Sequence, residues 1–233
     1  MKLLIGCPIS DRAWILPKWF EHCYISAENA KVDIEFVFVT SKNDRDSLGI
    51  ITHENSTIVI VDEAIRKDHR TWNISRYSHM CFLRNSLLSE VRTIAPTYFL
   101  SLDSDILLHP NAISSLLDAS QQHPGAWAIG GKCYLSPATR YHPNMGIFKQ
   151  GQSDTFTRKD SSGLHPVDIL MAIKLMKPES YNIDYVVNRL GEDIGWSKEV
   201  IAAGGSFFWD GRVANKHIMD KKLIDKFDER VGF

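Results

Sequence analysis

The chain of 233 residues has no apolar run near the ~20 residues that a membrane helix needs. It has little net charge: 27 Lys and Arg stand against 28 Asp and Glu, a balance of -1. That excludes a bulk basic footprint for nucleic acid, though not a local basic groove. Its four cysteines, Cys7, Cys23, Cys81 and Cys133, are far apart and form no C-x-x-C pair, which argues against a disulfide framework or a zinc finger. Scattered thiols of this kind suit a reducing cytosol, so a cytoplasmic location is expected. Neither G-x-x-x-x-G-K-[ST] nor G-x-G-x-x-G occurs, which removes support for P-loop and dinucleotide sites. Internal repeats, low-complexity tracts and clear linkers are absent as well. Leu4-Ile5-Gly6-Cys7 imitates a lipoprotein cleavage site. The apolar stretch before it is shorter than the 7–15 residues of a signal peptide, so the segment reads as a buried strand. The sequon at Asn73 carries no weight without secretion.

What is present is alternation. Short apolar runs at 3–7, 34–40, 57–61, 98–102 and 127–135 read as strands. Helical spacing marks 13–27, 78–94, 111–122 and 192–203, and a further strand spans 206–213. Residues 167–176 are apolar and fit either strand or helix. Residues 136–163, rich in Pro, Gly, Ser, Thr and Asn, read as a flexible loop or lid. The tail interleaves Lys216, Lys221, Lys222 and Lys226 with acids, the pattern of a solvated surface. Strands alternating with helices imply βαβ units and a mostly parallel sheet flanked by helices. At roughly 100–200 residues per domain, one domain is expected. Ligands in such sheets sit beyond the carboxyl ends of the strands.

The sharpest feature lies there. The apolar run 98–102 delivers Asp103-Ser104-Asp105. On a strand, residues two apart share a face, so Asp103 and Asp105 could converge on Mg²⁺ or Mn²⁺. The competing reading is a solvated turn that caps the next helix. Gly191-Glu192-Asp193 opens a later helix, and Asp210-Gly211-Arg212 leads through a strand to His217. Upstream stands Arg84-Asn85-Ser86-Leu87-Leu88.

In this order, these motifs resemble the GT-A glycosyltransferases, family 2 in particular, some of which are small bacterial or phage enzymes. The resemblance implies a single Rossmann-like GT-A domain over 1–233, with a nucleotide-binding half (1–110), an acceptor and catalytic half (111–217) and a tail (218–233). It implies a metal-dependent hexosyltransferase that takes a nucleotide-sugar, UDP- ahead of GDP-, and passes the sugar to an acceptor hydroxyl. Asp105, Asp103 and His217 would hold Mn²⁺ or Mg²⁺, with Asp103 and Ser104 also touching the ribose or donor sugar. Asp193, beside Glu192, is the candidate general base of an inverting transfer. The nucleotide would lie over Pro8, Ile9, Ser10, Asp11 and Arg12 after the first strand and over Thr40 and Ser41 after the second. Arg76 or Arg84 would clamp the diphosphate, Arg84 being preferred for the Asn85 and Leu-Leu that follow it. Trp196 either fills the core or stacks on a sugar.

A haloacid-dehalogenase phosphatase also uses D-x-D, but on its first strand and with Thr or Val where Leu107 stands. A nucleotidylyltransferase of similar fold carries a glycine-rich loop after the first strand, and 8–12 has no glycine. A non-catalytic nucleotide- or carbohydrate-binding domain is the remaining alternative. The acceptor, whether glycan, lipid, protein or modified DNA, is not written in the motifs.

Overall fold

A computed structural model describes residues 1–62, 73–134, 143–149, 152–158 and 162–224. The chain runs β1 (Lys2–Ile9), α1 (Leu16–Ala30), β2 (Asp33–Ser41), α2 (Arg45–Ile51), β3 (Ser56–Val61), α3 (Ile74–Ile94), β4 (Phe99–Leu102) and β5 (Ile106–Leu107). There follow α4 (Ala112–Gln122), β6 (Ala128–Cys133), β7 (Met145–Lys149), β8 (Gln152–Thr157), β9 (Leu164–Val167), β10 (Ile169–Leu170) and β11 (Ile173–Met176). The last elements are α5 (Pro178–Tyr181), α6 (Glu192–Ala202), β12 (Phe207–His217) and a 3-10 turn, Lys221–Leu223.

One sheet holds nine of these strands in the order β3-β2-β1-β4-β11-β6-β12-β5, with β9 also pairing to β12. The strands β1 to β4 are mutually parallel, and β6 is parallel to β12. Only β5, β9 and β11 run against their neighbours. Strand alternation splits the core between the two faces. Leu3, Ile5 and Cys7 of β1 pack with Trp19, Phe20, Phe36 and Phe38 under α1 and α4. Leu4, Val37 and Val39 face α3 and α6, with Leu83, Leu87, Trp196 and Trp209. The lipoprotein-like segment is thus the buried first strand, and all four cysteines are free and buried. Trp196 is core: it is fully buried and stacked between Tyr185 and Phe207. No helix among the described residues is long and apolar enough to cross a membrane.

Two expectations need correction, and one open reading is resolved. Residues 136–163 are not one loop: β7 and β8 form a hairpin that joins β10 in a second, three-stranded sheet. Residues 135–142, 150–151 and 159–161 lie outside the described residues. Residues 167–176, open between strand and helix, are strand: Val167 ends β9, and β10 and β11 follow, broken at Ala172, whose φ of 53° turns the chain. The helix expected from residue 78 begins at Ile74, because the Asn73 side chain accepts from the N–H of Arg76 and caps it. The Asn73 sequon is therefore a helix cap.

Gly6 shows how closely β1 and β2 pack. A Cβ built there would lie 2.1 Å from the carbonyl oxygen of Val37, which is backbone and cannot step aside. Gly6→Ala is expected to destabilise the chain by about 1–3 kcal/mol, the usual cost of overpacking. Urea unfolding measures this; an unchanged midpoint would contradict the described β1–β2 contact.

Candidate functional site

The strands β1, β2 and β4 end side by side, and the loops that follow them build the site. After β1, Asp11 takes a left-handed backbone (φ 54°). Its N–H donates to Asp44 Oδ2 at 2.7 Å. The other oxygen of Asp44 caps α2 by accepting from the N–H of Ser47, and Ser47 Oγ accepts from the N–H of Arg12 at 3.1 Å. So pinned, the loop aims Arg12 across the sheet edge. Arg12 Nε donates to Ser104 Oγ (3.3 Å), and Nη2 pairs with Asp105 Oδ2 (3.2 Å). Pro8 and Ile9 lie in β1 beside Val39 and Thr40. Thr40 is buried, and its hydroxyl has no hydrogen-bond partner among the described residues. Ser10 follows β1 directly. Asp44 was not signalled by the sequence; a lone Asp in a polar turn looks like many others.

The D-x-D motif is not a strand. β4 ends at Leu102, and residues 103–106 form a turn closed by the N–H of Ile106 on the carbonyl of Asp103. The two-residue rule for sharing a face therefore does not apply, and the carboxylates diverge. Asp105 faces Arg12 and His217; Asp103 Oδ1 accepts from Arg84 Nη2 at 3.1 Å. Nor is the turn a helix cap, since α4 begins at Ala112 behind Asn111. The backbone of Asp103 is fixed on both sides. Its N–H donates to the carbonyl of Ala172, and its carbonyl accepts from the Trp19 indole.

β5 brings His217 in. It pairs antiparallel to β12 with Ile106 opposite His217, and the N–H of Ile218 donates to the carbonyl of Asp105. His217 ends the strand and does not follow it. Its Nδ1 lies 2.9 Å from the carbonyl of Tyr134, which can only accept, so Nδ1 carries the hydrogen. That leaves Nε2 facing Asp105 Oδ1 at 3.5 Å.

This donor set fits a divalent cation. Neighbouring ligands of an octahedral ion at about 2.1 Å lie about 3 Å apart, close to the observed separation. A carbonyl behind a ligating histidine is a common support for such a site. Among the described residues no three His, Cys, Asp or Glu side chains form a metal-binding group. The fit is thus to Asp105 and His217, with Asp103 turned away from them. Burial alone would push His217 down, but Asp105 holds it above its ordinary value.

Behind the turn lies a second group of charges. Arg84 of α3 is 3% exposed. It reaches Asp103 (3.1 Å), Glu192 (3.5 Å) and Asp193 (3.9 Å), yet its Nε and Nη1 make no hydrogen bond among the described residues. Arg76 stands two turns earlier, about 12 Å along the same helix at 1.5 Å per residue, in its first turn. Lys174 of β11 is fully buried, with Nζ 2.6 Å from Asp193 Oδ1. Burial would raise Asp193, but Lys174 and Arg84 overcome it and hold the carboxyl below its ordinary value. Burial raises Glu192, reinforced by the adjacent Asp193. Asp103 is likewise raised by burial against the pull of Arg84. Both acids of the Glu192-Asp193 pair thus point inward at the start of α6. Lys174 was missed by sequence reasoning; the available signal was one cation in an apolar run.

No family model matches the sequence, and no curated protein matches it. Solved structures do. Apo UDP-glucose pyrophosphorylase is similar over 99% of both chains, with 11% identity and a TM-score of 0.55. UDP-glucose pyrophosphorylase complexed with UDP-glucose is similar over 92% of this chain and 90% of its own, at 12% identity and 0.52. S. aureus TarS 1-349 matches 98% of this chain at 8% identity and 0.54, and this chain spans 63% of it. The likeness is one of fold: a large, mostly parallel sheet flanked by helices, shared with a nucleotide-sugar enzyme.

Two buried cations, Arg84 and Lys174, face three carboxylates, Asp103, Glu192 and Asp193. A raised carboxyl binds its proton more tightly folded than unfolded, so ionised Glu192 lowers stability above its folded pKa. That loss is relieved as pH falls toward the ordinary value of 4.5. Glu192→Gln is therefore expected to raise the thermal midpoint at pH 7, with the gain fading by pH 4. A gain that persists unchanged to pH 4 would contradict the assignment.

Proposed function

We propose that the chain is a metal-dependent glycosyltransferase that moves a hexose from a nucleotide-sugar, UDP- ahead of GDP-, to an acceptor hydroxyl. The observation that supports this best is the pairing of two chemistries at one sheet edge. On one side Asp105 Oδ1 and His217 Nε2 make a donor pair for Mn²⁺ or Mg²⁺. On the other, Asp193 has one oxygen held by Lys174. Its Oδ2 accepts no hydrogen bond among the described residues.

The nucleotide lies over the ends of β1 and β2, between Ser10 to Arg12 and Thr40. Arg12 brings guanidinium charge toward the diphosphate, while Arg84, buried among Asp103, Glu192 and Asp193, holds the acids behind the site. When bound, the divalent ion neutralises the diphosphate leaving group. Asp193 Oδ2 takes the proton of the acceptor hydroxyl as its oxygen bonds to the anomeric carbon. The bond from that carbon to the diphosphate breaks, and the configuration inverts. A carboxylate held ionised serves here because the hydroxyl becomes acidic only as the new bond forms.

A second reading, a nucleotidylyltransferase, draws support from the full-length likeness to UDP-glucose pyrophosphorylase. Products separate the two. Incubation with UDP- and GDP-sugars and Mn²⁺ is expected to release UDP or GDP, and Asp105→Ala is expected to abolish this. Asp193→Asn is expected to lower turnover about 10²–10⁴-fold, the range for a positioned base, while donor affinity is kept. Pyrophosphate release from UTP and a sugar 1-phosphate would favour the second reading. Failure of every nucleotide-sugar to bind would overturn both.

A further inference from the structure

Lys174 is out of place by every ordinary rule. It sits in β11, hydrogen-bonded on one side to β4 and on the other to β6, with Ser101 and Gly130 as its neighbours. None of it is exposed. Lysine is almost never fully buried without a partner. Its one ion pair among the described residues is with Asp193, at 2.6 Å. The ammonium also lies 5.4 Å from the ring centres of both Tyr185 and Trp196, and it donates to the Tyr185 hydroxyl as well. An apolar side chain would fill such a slot at least as well, because a buried ion pair contributes little net stability over apolar packing. The pair does fix geometry. Oδ1 of Asp193 is anchored to Lys174, and Oδ2 accepts no hydrogen bond among the described residues.

We propose that Lys174 is a positioning residue that anchors Oδ1 of Asp193 and turns its Oδ2 toward the acceptor hydroxyl. The proposal rests on the glycosyl-transfer reading of Asp193. Every charged or titratable group around that carboxylate bears on it. Arg84 and Cys81 face it from α3, Asp103 from the turn after β4, Tyr185 from the segment before α6, and Glu192 from its own helix. Of these, Lys174 acts most strongly to favour the ionised form. Arg84 is 3.9 Å away and shared with two other carboxylates, so it cannot replace Lys174 in full.

The test uses Lys174→Met, which keeps an unbranched chain without the charge. Lys174→Gln, which keeps a hydrogen-bond donor, is the second variant. In protein carrying ¹³C-carboxyl aspartate, the Asp193 resonance is identified by its absence from Asp193→Asn. Its titration midpoint is expected to rise by at least about one pH unit, as loss of an adjacent opposite charge implies. The acid limb of kcat/KM is expected to move up with it, about tenfold in rate at a fixed pH below the limb. The KM for donor should stay where it is, and activity should recover at higher pH. An unchanged midpoint, or a loss independent of pH that falls equally on donor KM, overturns the proposal. Asp193→Asn keeps the two claims apart. If it retains full activity, the base reading fails; if it is inactive while Lys174→Met leaves the midpoint unmoved, only the role of Lys174 fails.

Discussion

Arg84 carries a full charge with almost no contact with water, and much of the molecule is arranged to make that tolerable. Leaving such a buried charge with no partner at all typically costs about 3–5 kcal/mol, and three carboxylates share the task here. Its partners arrive from separate places: Asp103 from the turn after β4, Glu192 and Asp193 from the start of α6. Lys174 adds a second cation from β11, the strand that runs against β4 and β6 in the middle of the sheet. None of these charges is satisfied until strands distant in sequence are paired. The constraint thus couples the early strands to the late ones, and it places the charges where parallel strands end.

That edge then divides into two environments. The Arg12 side is held by short polar links, Asp44 to Asp11 and Ser47 to Arg12, which fix a loop through its backbone. There Asp105 is held ionised: burial opposes this, but His217 and Arg12 prevail. The Arg84 side is drier, and burial pushes Asp103 and Glu192 upward while Asp193 goes the other way. Asp193 is thus the acid most readily available in its ionised form, the form a general base needs.

β1, β2 and β4 were readable because each is a nearly continuous apolar run, largely buried on both faces of the sheet, and β3, at the sheet's edge, was readable from its apolar run alone. The position of Asp103, Asp105 and Glu192-Asp193 at the edge was readable for the same reason: they follow or open elements whose periodicity is clear. What escaped was long-range. The partner of Lys174 is 19 residues away, and the two meet only because β11 is threaded between β4 and β6. The divergence of Asp103 and Asp105 depends on where β4 stops, and apolar Ile106, Leu107 and Leu108 disguise the turn between. Ala172 breaks an apolar run without any glycine or proline to mark the bend. The hairpin of β7 and β8 is short and its second strand is polar, so the composition of the region imitates a loop.

The central claim is that Asp105 and His217, brought together by the β5–β12 pairing, hold a divalent ion against a nucleotide diphosphate. A crystal structure of the protein with UDP and Mn²⁺ tests it most directly. The expected result is Mn²⁺ bonded to Asp105 Oδ1 and His217 Nε2, with diphosphate oxygens completing its shell and the uracil over the ends of β1 and β2. UDP bound with no metal between these two side chains, or Mn²⁺ held elsewhere, would contradict the account.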